Sequence, residues 1–316
     1  MIIKTPSRLH MGIIDLSREF IRSYGALGLT IKGGFNIEID KQKKGLTINA
    51  NERNAKEVRQ VYSKLKRVLQ LDTGFHVKVE EDIPRHVGLG STTQLCLGTG
   101  MGMAQLSEHK VNPVKLASIL ERGRFSAIGT YGFKHGGFIL EGGKSTPLET
   151  PPLLFRNDVP EEWRFIVIRA KEWEGFNEEE EQPIMEEIMV DKKYPQIICH
   201  HIMMGILPAL RKKDIEDFGY HLTSIQKAVG DSFSDYQSGI FHPAVGGIIG
   251  ELKEHTYGVG QSSWGPTIYG LTDVDHAEDV KKIMKTWLLE NNKKASIRIA
   301  EPENEGVKII RDDQDL

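Results

Sequence analysis

Apolar and polar residues alternate one for one from Phe35 to Asp40 and again from Phe75 to Glu80, which predicts two half-buried strands. Between them Ala55, Val58, Val61, Leu65 and Val68 recur every three or four positions, so a helix over about residues 54–71 carries one apolar stripe. The stretch from Gln94 to Ser107 is apolar almost all round and predicts a fully buried helix, while Asn112-Pro113 sets a cap and first-turn proline for a short helix ending near Gly123. Further on, Arg164 to Arg169 reads as a buried strand. Residues 196–211, 214–228, 243–254 and 275–290 read as helices, and Ala295 to Ala300 as a closing strand. Prolines 147, 151 and 152 follow the strand-like run Gly136 to Glu141 and mark a boundary between domains of residues 1–150 and 151–316. Mixed strands and helices without regular alternation or an internal repeat indicate an α+β fold.

Charge narrows the range of partners. Across 316 residues, 41 basic and 44 acidic side chains leave a formal net charge of −3, without the basic excess that a phosphate-backbone binder needs, so nucleic acid is not an expected partner. The two cysteines, Cys96 and Cys199, lie in apolar stretches and cannot form a secreted-type disulfide framework, which points to a reducing, cytoplasmic location. No apolar run approaches the ~18 residues of a membrane span, and no secretory leader is evident.

The densest candidate chemistry is Pro84-Arg-His-Val-Gly-Leu-Gly-Ser-Thr-Thr93, between an alternating strand and an apolar helix. Gly88 and Gly90 would let the backbone approach an anion, Ser91, Thr92 and Thr93 add hydroxyls, and a helix start offers free N–H groups. An ordinary capped turn is the alternative; Arg85 and His86 favour anion binding. Gly98, Gly100 and Gly102 in the following helix each cost about 1 kcal/mol relative to alanine, which implies close packing, most simply on another backbone. Near the N-terminus Arg8 and His10 share one strand face, with Asp15 beyond, and could hold a carboxylate or phosphate or merely form surface ion pairs. Residues 122–137 combine Arg122, Arg124, Ser126 and His135 with five glycines, the composition of a loop shaped to a ligand or of a solvated one. Gly258 to Gly270 is uncharged; its Gln261, Ser262, Ser263, Trp264 and Tyr269 suit a pocket wall in which the two aromatics sandwich a ring, or else a buried strand. Gly143-Lys-Ser145 fails as a phosphate loop because the motif's first glycine would fall on Phe138. Cys199-His-His201 lacks a second ligand cluster, and Glu178 to Glu181 reads as a solvated loop with some capacity for magnesium.

The order of Pro6 to Gly12, Pro84 to Thr93 and Gly258 to Gly270 resembles the GHMP kinase superfamily over nearly the whole chain, with Pro84, Gly88, Leu89, Gly90 and Ser91 at its ATP-phosphate pattern. The resemblance implies two domains, an N-terminal mixed sheet with helices and a C-terminal ferredoxin-like sandwich. Many of these kinases carry Ser-Gly-x-Asp where this chain has Ser126-Ala-Ile-Gly129, so the aspartate that helps deprotonate the substrate hydroxyl is a glycine. Ser7 to Gly12, Arg124 to Gly132 with Gly136-Gly137, and Gly260-Gln-Ser-Ser-Trp-Gly-Pro-Thr267 are more specifically similar to the β-ribofuranosylaminobenzene 5′-phosphate synthase family. That likeness implies condensation of phosphoribosyl pyrophosphate with 4-hydroxybenzoate or 4-aminobenzoate in methanopterin biosynthesis, with release of carbon dioxide and pyrophosphate, a magnesium ion and a homodimer. On this reading the residues around Gly88–Thr93, with Arg85, hold the pyrophosphate, and Asp15 and Glu141 hold the metal. Arg8, Arg22, Arg122 and Arg124 take the ribose phosphate and carboxylate, and His10, His86 or His135 moves the phenol proton. An ATP-dependent small-molecule kinase and a non-catalytic phosphate-ligand sensor are the competing expectations.

Overall fold

The computed structural model of the protein describes residues 1–81, 83–173, 175–176 and 178–311, with Glu178 described by its backbone alone. The first half runs β1 (Ile2–Lys4), β2 (Ser7–Asp15), β3 (Tyr24–Ile31), β4 (Asn36–Gln42), β5 (Leu46–Asn49), α1 (Glu52–Leu69), β6 (Gly74–Glu81), α2 (Ser91–Leu106), α3 (Pro113–Ile119), α4 (Ile128–His135) and β7 (Phe138–Glu141). The second half continues with β8 (Leu153–Asn157), β9 (Trp163–Ala170), α5 (Glu178–Glu187), α6 (Lys193–His201), a π-helical turn (Ile202–Ile206), α7 (Leu207–Lys212) and α8 (Ile215–Ser232). It closes with α9 (Ser234–Gln237), α10 (Pro243–Lys253), β10 (Gly258–Gln261), β11 (Thr267–Asp273), α11 (Ala277–Glu290), β12 (Ala295–Ala300) and β13 (Lys308–Ile310). Among the described residues no helix is long and apolar enough to cross a membrane.

Three sheets organise these elements. One has the order β13-β1-β4-β6-β5, and a second, β2-β3-β7-β8, is antiparallel throughout. The third, β10-β11-β9-β12, has its strands in sequence order 2-3-1-4, the ferredoxin-like arrangement, with helices in both crossovers. The second sheet runs through residue 150, and β13 brings the end of the chain back to β1, so chain order and spatial order part company there.

The helix α1 forms where its 3.6-residue stripe predicts, capped by the Asn51 side chain accepting from the Asn54 N–H, with Val58, Val61 and Leu65 buried. The all-apolar α2 is buried between sheet and helices. Its glycines make that possible, but by admitting side chains rather than a backbone: a Cβ on Gly98 or Gly102 would meet Ile37 or Ile39, and one on Gly100 would meet Leu116 and Leu120. Two stretches expected to be loops are helical. Residues 128–135 form α4, because Gly129 and Gly132 serve as contact points for Thr93 and Thr30 rather than as hinges. The acidic run at 178–181 opens α5; carboxylates in a first turn favour the positive end of a helix.

Backbone-to-backbone contact does occur where α8 crosses β10. A Cβ on Gly219 would lie 2.3 Å from the Tyr257 carbonyl oxygen, and one on Gly258 would lie 2.3 Å from that of Gly219. Since backbone cannot step aside as a side chain can, Gly219→Ala should destabilise the protein by about 1–3 kcal/mol despite alanine's better helix propensity. Urea denaturation measures this; an unchanged midpoint would show that the crossing tolerates a methyl group.

Candidate active site

The glycine turn, the N-terminal strand and the C-terminal turn meet at a single carbonyl. Gly88, at φ +79°, turns its C=O to accept both Arg8 Nη1 at 2.9 Å and the Ser262 hydroxyl at 2.6 Å. The Ser262 oxygen itself accepts from the His10 backbone N–H at 2.9 Å. A Cβ on Gly88 would lie 2.2 Å from the Ser262 carbonyl oxygen, and one on Gly90 would lie 2.8 Å from Arg8 Cγ, so glycine is required at both positions. Arg8 and Ser262 thereby hold the turn from two sides.

Beside this junction opens a cleft of about 640 Å³. Its polar lining comprises Arg8, His10, Thr93, Arg122, Arg124, Ser126 and Lys144 together with the carboxylates of Glu121, Glu149, Glu179 and Glu181. Its apolar lining includes Ile13, Met185, Val229, Phe233 and Trp264. Trp264 is only 8% exposed; Phe176 and Phe233 meet it edge-on with centroids at 5.1 and 4.9 Å, and its Nε1–H donates to Glu181 at 3.0 Å. Three glutamines of the lining are hydrogen-bonded in series. Gln226 Nε2 donates to the Met11 carbonyl at 2.6 Å, its oxygen accepts from the Gln261 N–H at 2.8 Å, and Gln261 Nε2 donates to Gln237 at 3.1 Å.

His10 lines the cleft in a defined protonation state. Burial, and secondarily the Arg8 charge, hold its imidazole well below the usual histidine range, so the ring is neutral at pH 7. Its Nδ1 accepts from the Gly12 N–H at 3.3 Å, so the proton resides on Nε2, which donates to Ser126 Oγ at 3.1 Å. Ser126 Oγ also accepts from the Ile128 N–H at 3.3 Å. With its lone pairs engaged, Ser126 has a hydroxyl proton to offer to the cleft. Burial also lowers Arg8, to about 10, leaving it charged at neutral pH.

Several anticipated residues stand elsewhere. Arg85 pairs with Glu57 of α1 at 2.7 Å, away from the cleft, because α1 offers a carboxylate where a pyrophosphate clamp was expected. The His86 carbonyl accepts from the Gly175 N–H, and His135 ends α4; neither histidine lines the cleft, leaving His10 alone of the three candidates. Tyr269 is fully buried in β11, its ring 6.5 Å from Phe165, so it belongs to the core and stacks no ligand. Arg22, which donates to Glu149 and to the Gly143 carbonyl, is not itself part of the cleft lining. Of the turn itself only Thr93 lines the cleft, while Gly88, Gly90, Ser91, Thr92 and Ser262 lie behind it; Gln261 and Ser263 join Trp264 in the lining. At the position of the missing aspartate, a Cβ on Gly129 would be 3.2 Å from Thr93 Cγ2, so a longer side chain would displace Thr93.

The anticipated metal ligands are likewise committed to the chain. Asp15 Oδ1 accepts from the Ser17 N–H and hydroxyl, and the Glu141 oxygens accept from the Gly143 and Ala127 N–H groups. Among the described residues no three His, Cys, Asp or Glu side chains form a group that could hold a metal ion. Sequence reasoning missed Lys144, set aside with its failed motif, and Gln226, whose signal was an amide on the apolar face of α8 four residues beyond Leu222.

Known proteins resemble the chain along its length. Models of the GHMP kinases match it at residues 56–137 (N-terminal domain) and 206–288 (C-terminal domain). The β-ribofuranosylphenol 5′-phosphate synthase of Methanocaldococcus jannaschii is 31% identical over 312 residues, covering 89% of this chain and 93% of the relative. The chain belongs to this synthase family, within the GHMP kinase superfamily. The synthase of the same name from Archaeoglobus fulgidus is 29% identical, with 97% and 98% of the two chains covered. Mevalonate kinase of Methanococcus jannaschii superposes with a TM-score of 0.67 at 18% identity, covering 96% and 98%, a likeness of fold alone.

Glu141 has a measurable consequence. Burial pushes its carboxyl up to about 7 against the opposing pull of the Gly143 and Ala127 N–H groups, Lys144 and Arg22. Between its ordinary value of 4.5 and about 7 the folded protein keeps a proton that the unfolded chain has lost, so this group makes stability fall as pH rises through that window. Glu141→Gln should flatten that limb, as denaturation at pH 5 and pH 7 would show; an unaltered slope would mean that Glu141 ionises normally.

Proposed function

We propose that the protein is a β-ribofuranosylphenol or -aminobenzene 5′-phosphate synthase, a decarboxylating pentosyltransferase that joins phosphoribosyl pyrophosphate to 4-hydroxybenzoate or 4-aminobenzoate. The observation that carries the reading is one cleft whose lining holds both arginines and aromatic side chains, in a chain of the synthase family. The arginines suit the donor's phosphates, since guanidinium forks match phosphate oxygens, and the apolar side chains suit a flat ring.

In this reaction the bond between ribose C1 and pyrophosphate breaks, its electron pair leaving with the pyrophosphate. The ring carbon bearing the carboxylate forms a bond to C1, and loss of carbon dioxide returns the carboxylate's bonding pair to the ring. Arg8, Arg122 and Arg124 would oppose the negative charge growing on the leaving group, and the Ser126 hydroxyl would donate to one of its oxygens. Phe233 and Trp264 would confine the ring and exclude water from the oxocarbenium-like ribose. Magnesium would enter with the pyrophosphate as part of the substrate, its ligands mainly phosphate oxygens.

His10 acts here as a donor that orients Ser126 rather than as a base, because its acceptor nitrogen faces the Gly12 N–H. His10→Gln, whose amide nitrogen can replace Nε2–H, should therefore keep kcat/KM within about tenfold of the parent. A fall of roughly 10²–10⁴ would instead identify general-base catalysis. The activity itself is tested with carboxyl-labelled 4-hydroxybenzoate and 4-aminobenzoate: labelled carbon dioxide should appear only when phosphoribosyl pyrophosphate and magnesium are both present. No release, with ATP turnover on a small alcohol, would replace the synthase reading with a kinase.

A further inference from the structure

We propose that Lys144, on the turn after β7, is a substrate ligand whose ammonium binds a phosphate oxygen of the phosphoribosyl donor. The inference rests on the synthase reading for the identity of that donor, but the anion site itself follows from the side chain's surroundings. Lys144 is 7% exposed and lines the cleft. Of three ammonium donors, one makes a long bond of 3.3 Å to the Pro147 carbonyl, and among the described residues no carboxylate forms an ion pair with it. Burial disfavours its charge, Arg124 repels it, and Glu141 and Glu149 attract it from beyond ion-pair distance. Each of these carboxylates is engaged elsewhere, Glu141 by the Gly143 and Ala127 N–H groups and Glu149 by Ser145 and Arg22. A buried ammonium without an ion pair is costly unless an anion completes the set.

The backbone holds the lysine in place. Lys144 exchanges two hydrogen bonds of 3.0 Å with Ser23, and Gly143, at φ +62°, lies so close to Ser23 that a Cβ would stand 2.2 Å from its carbonyl oxygen. Glu141 then ties this turn to the one carrying Ser126, its two oxygens accepting from Gly143 at 2.6 Å and Ala127 at 3.4 Å. The ammonium of Lys144 and the hydroxyl of Ser126 are thus presented to one cleft by two turns that share a buried carboxylate.

Calorimetric titration of the full chain with pyrophosphate and with ribose 5-phosphate, for the parent and Lys144→Met, tests the assignment. The variant should bind at least one of the two roughly 10- to 100-fold more weakly, the span of a charge-assisted hydrogen bond, and the affected ligand identifies which phosphate Lys144 holds. In the parent, the same ligand should protect Lys144 from reductive methylation, a readout that does not depend on the variant folding. Unchanged binding in folded Lys144→Met, or methylation that neither ligand slows, would overturn the assignment and leave the synthase reading standing. A parent that binds neither ligand would overturn both. Weakened binding in Lys144→Met, with no carbon dioxide released by the parent, would keep the anion site and remove the synthase reading.

Discussion

The Gly88 carbonyl is the point on which the site depends. It accepts from Arg8 on β2 and from Ser262 after β10, so one oxygen joins the N-terminal strand, the glycine turn and the C-terminal turn. A carbonyl has two lone pairs, and both are used by donors from distant parts of the chain. Such a junction is cooperative. Losing either donor strands buried polar groups as well as loosening the turn, a penalty of about 1–3 kcal/mol for each unsatisfied group.

This junction also sets the electrostatics. Burying Arg8 against the turn puts a cation beside His10, and burial together with that charge keeps the imidazole neutral. A neutral ring receiving the Gly12 N–H at Nδ1 can only donate through Nε2, which determines the direction of the Ser126 hydrogen bond. Of the glycine turn only Thr93 reaches the cleft. The fold is shared with small-molecule kinases; in this chain Gly129 has no carboxylate to offer, and Arg8, Arg122, Arg124, Lys144, Phe233 and Trp264 are on the cavity surface.

Much of this was legible from residue order alone because local periodicity reports burial. The stripe of α1, the strand alternation of β4 and β6, and the Asn112 cap of α3 all appear where hydrophobic spacing and capping chemistry put them. Arg8, His10, Thr93, Arg124, Ser126 and Trp264 were recognisable as polar or aromatic residues in glycine-rich segments, and the structure brings them to one cleft. The α4 helix was not legible, since glycines that admit Thr93 and Thr30 look, in isolation, like hinges.

What the sequence by itself determined was the α+β class, the family resemblance and the three segments from which the site is built, because composition, spacing and local propensity are properties of neighbouring residues. Only the tertiary structure decided which members of those segments reach the cavity. Arg85 turned to Glu57, Tyr269 to the core and His135 to the far end of α4, whereas Lys144 turned inward. Side-chain direction and charge pairing depend on elements tens or hundreds of residues apart, such as Arg8 with Gly88 and His10 with Ser262, and the free energy of those long-range contacts is absent from any local window.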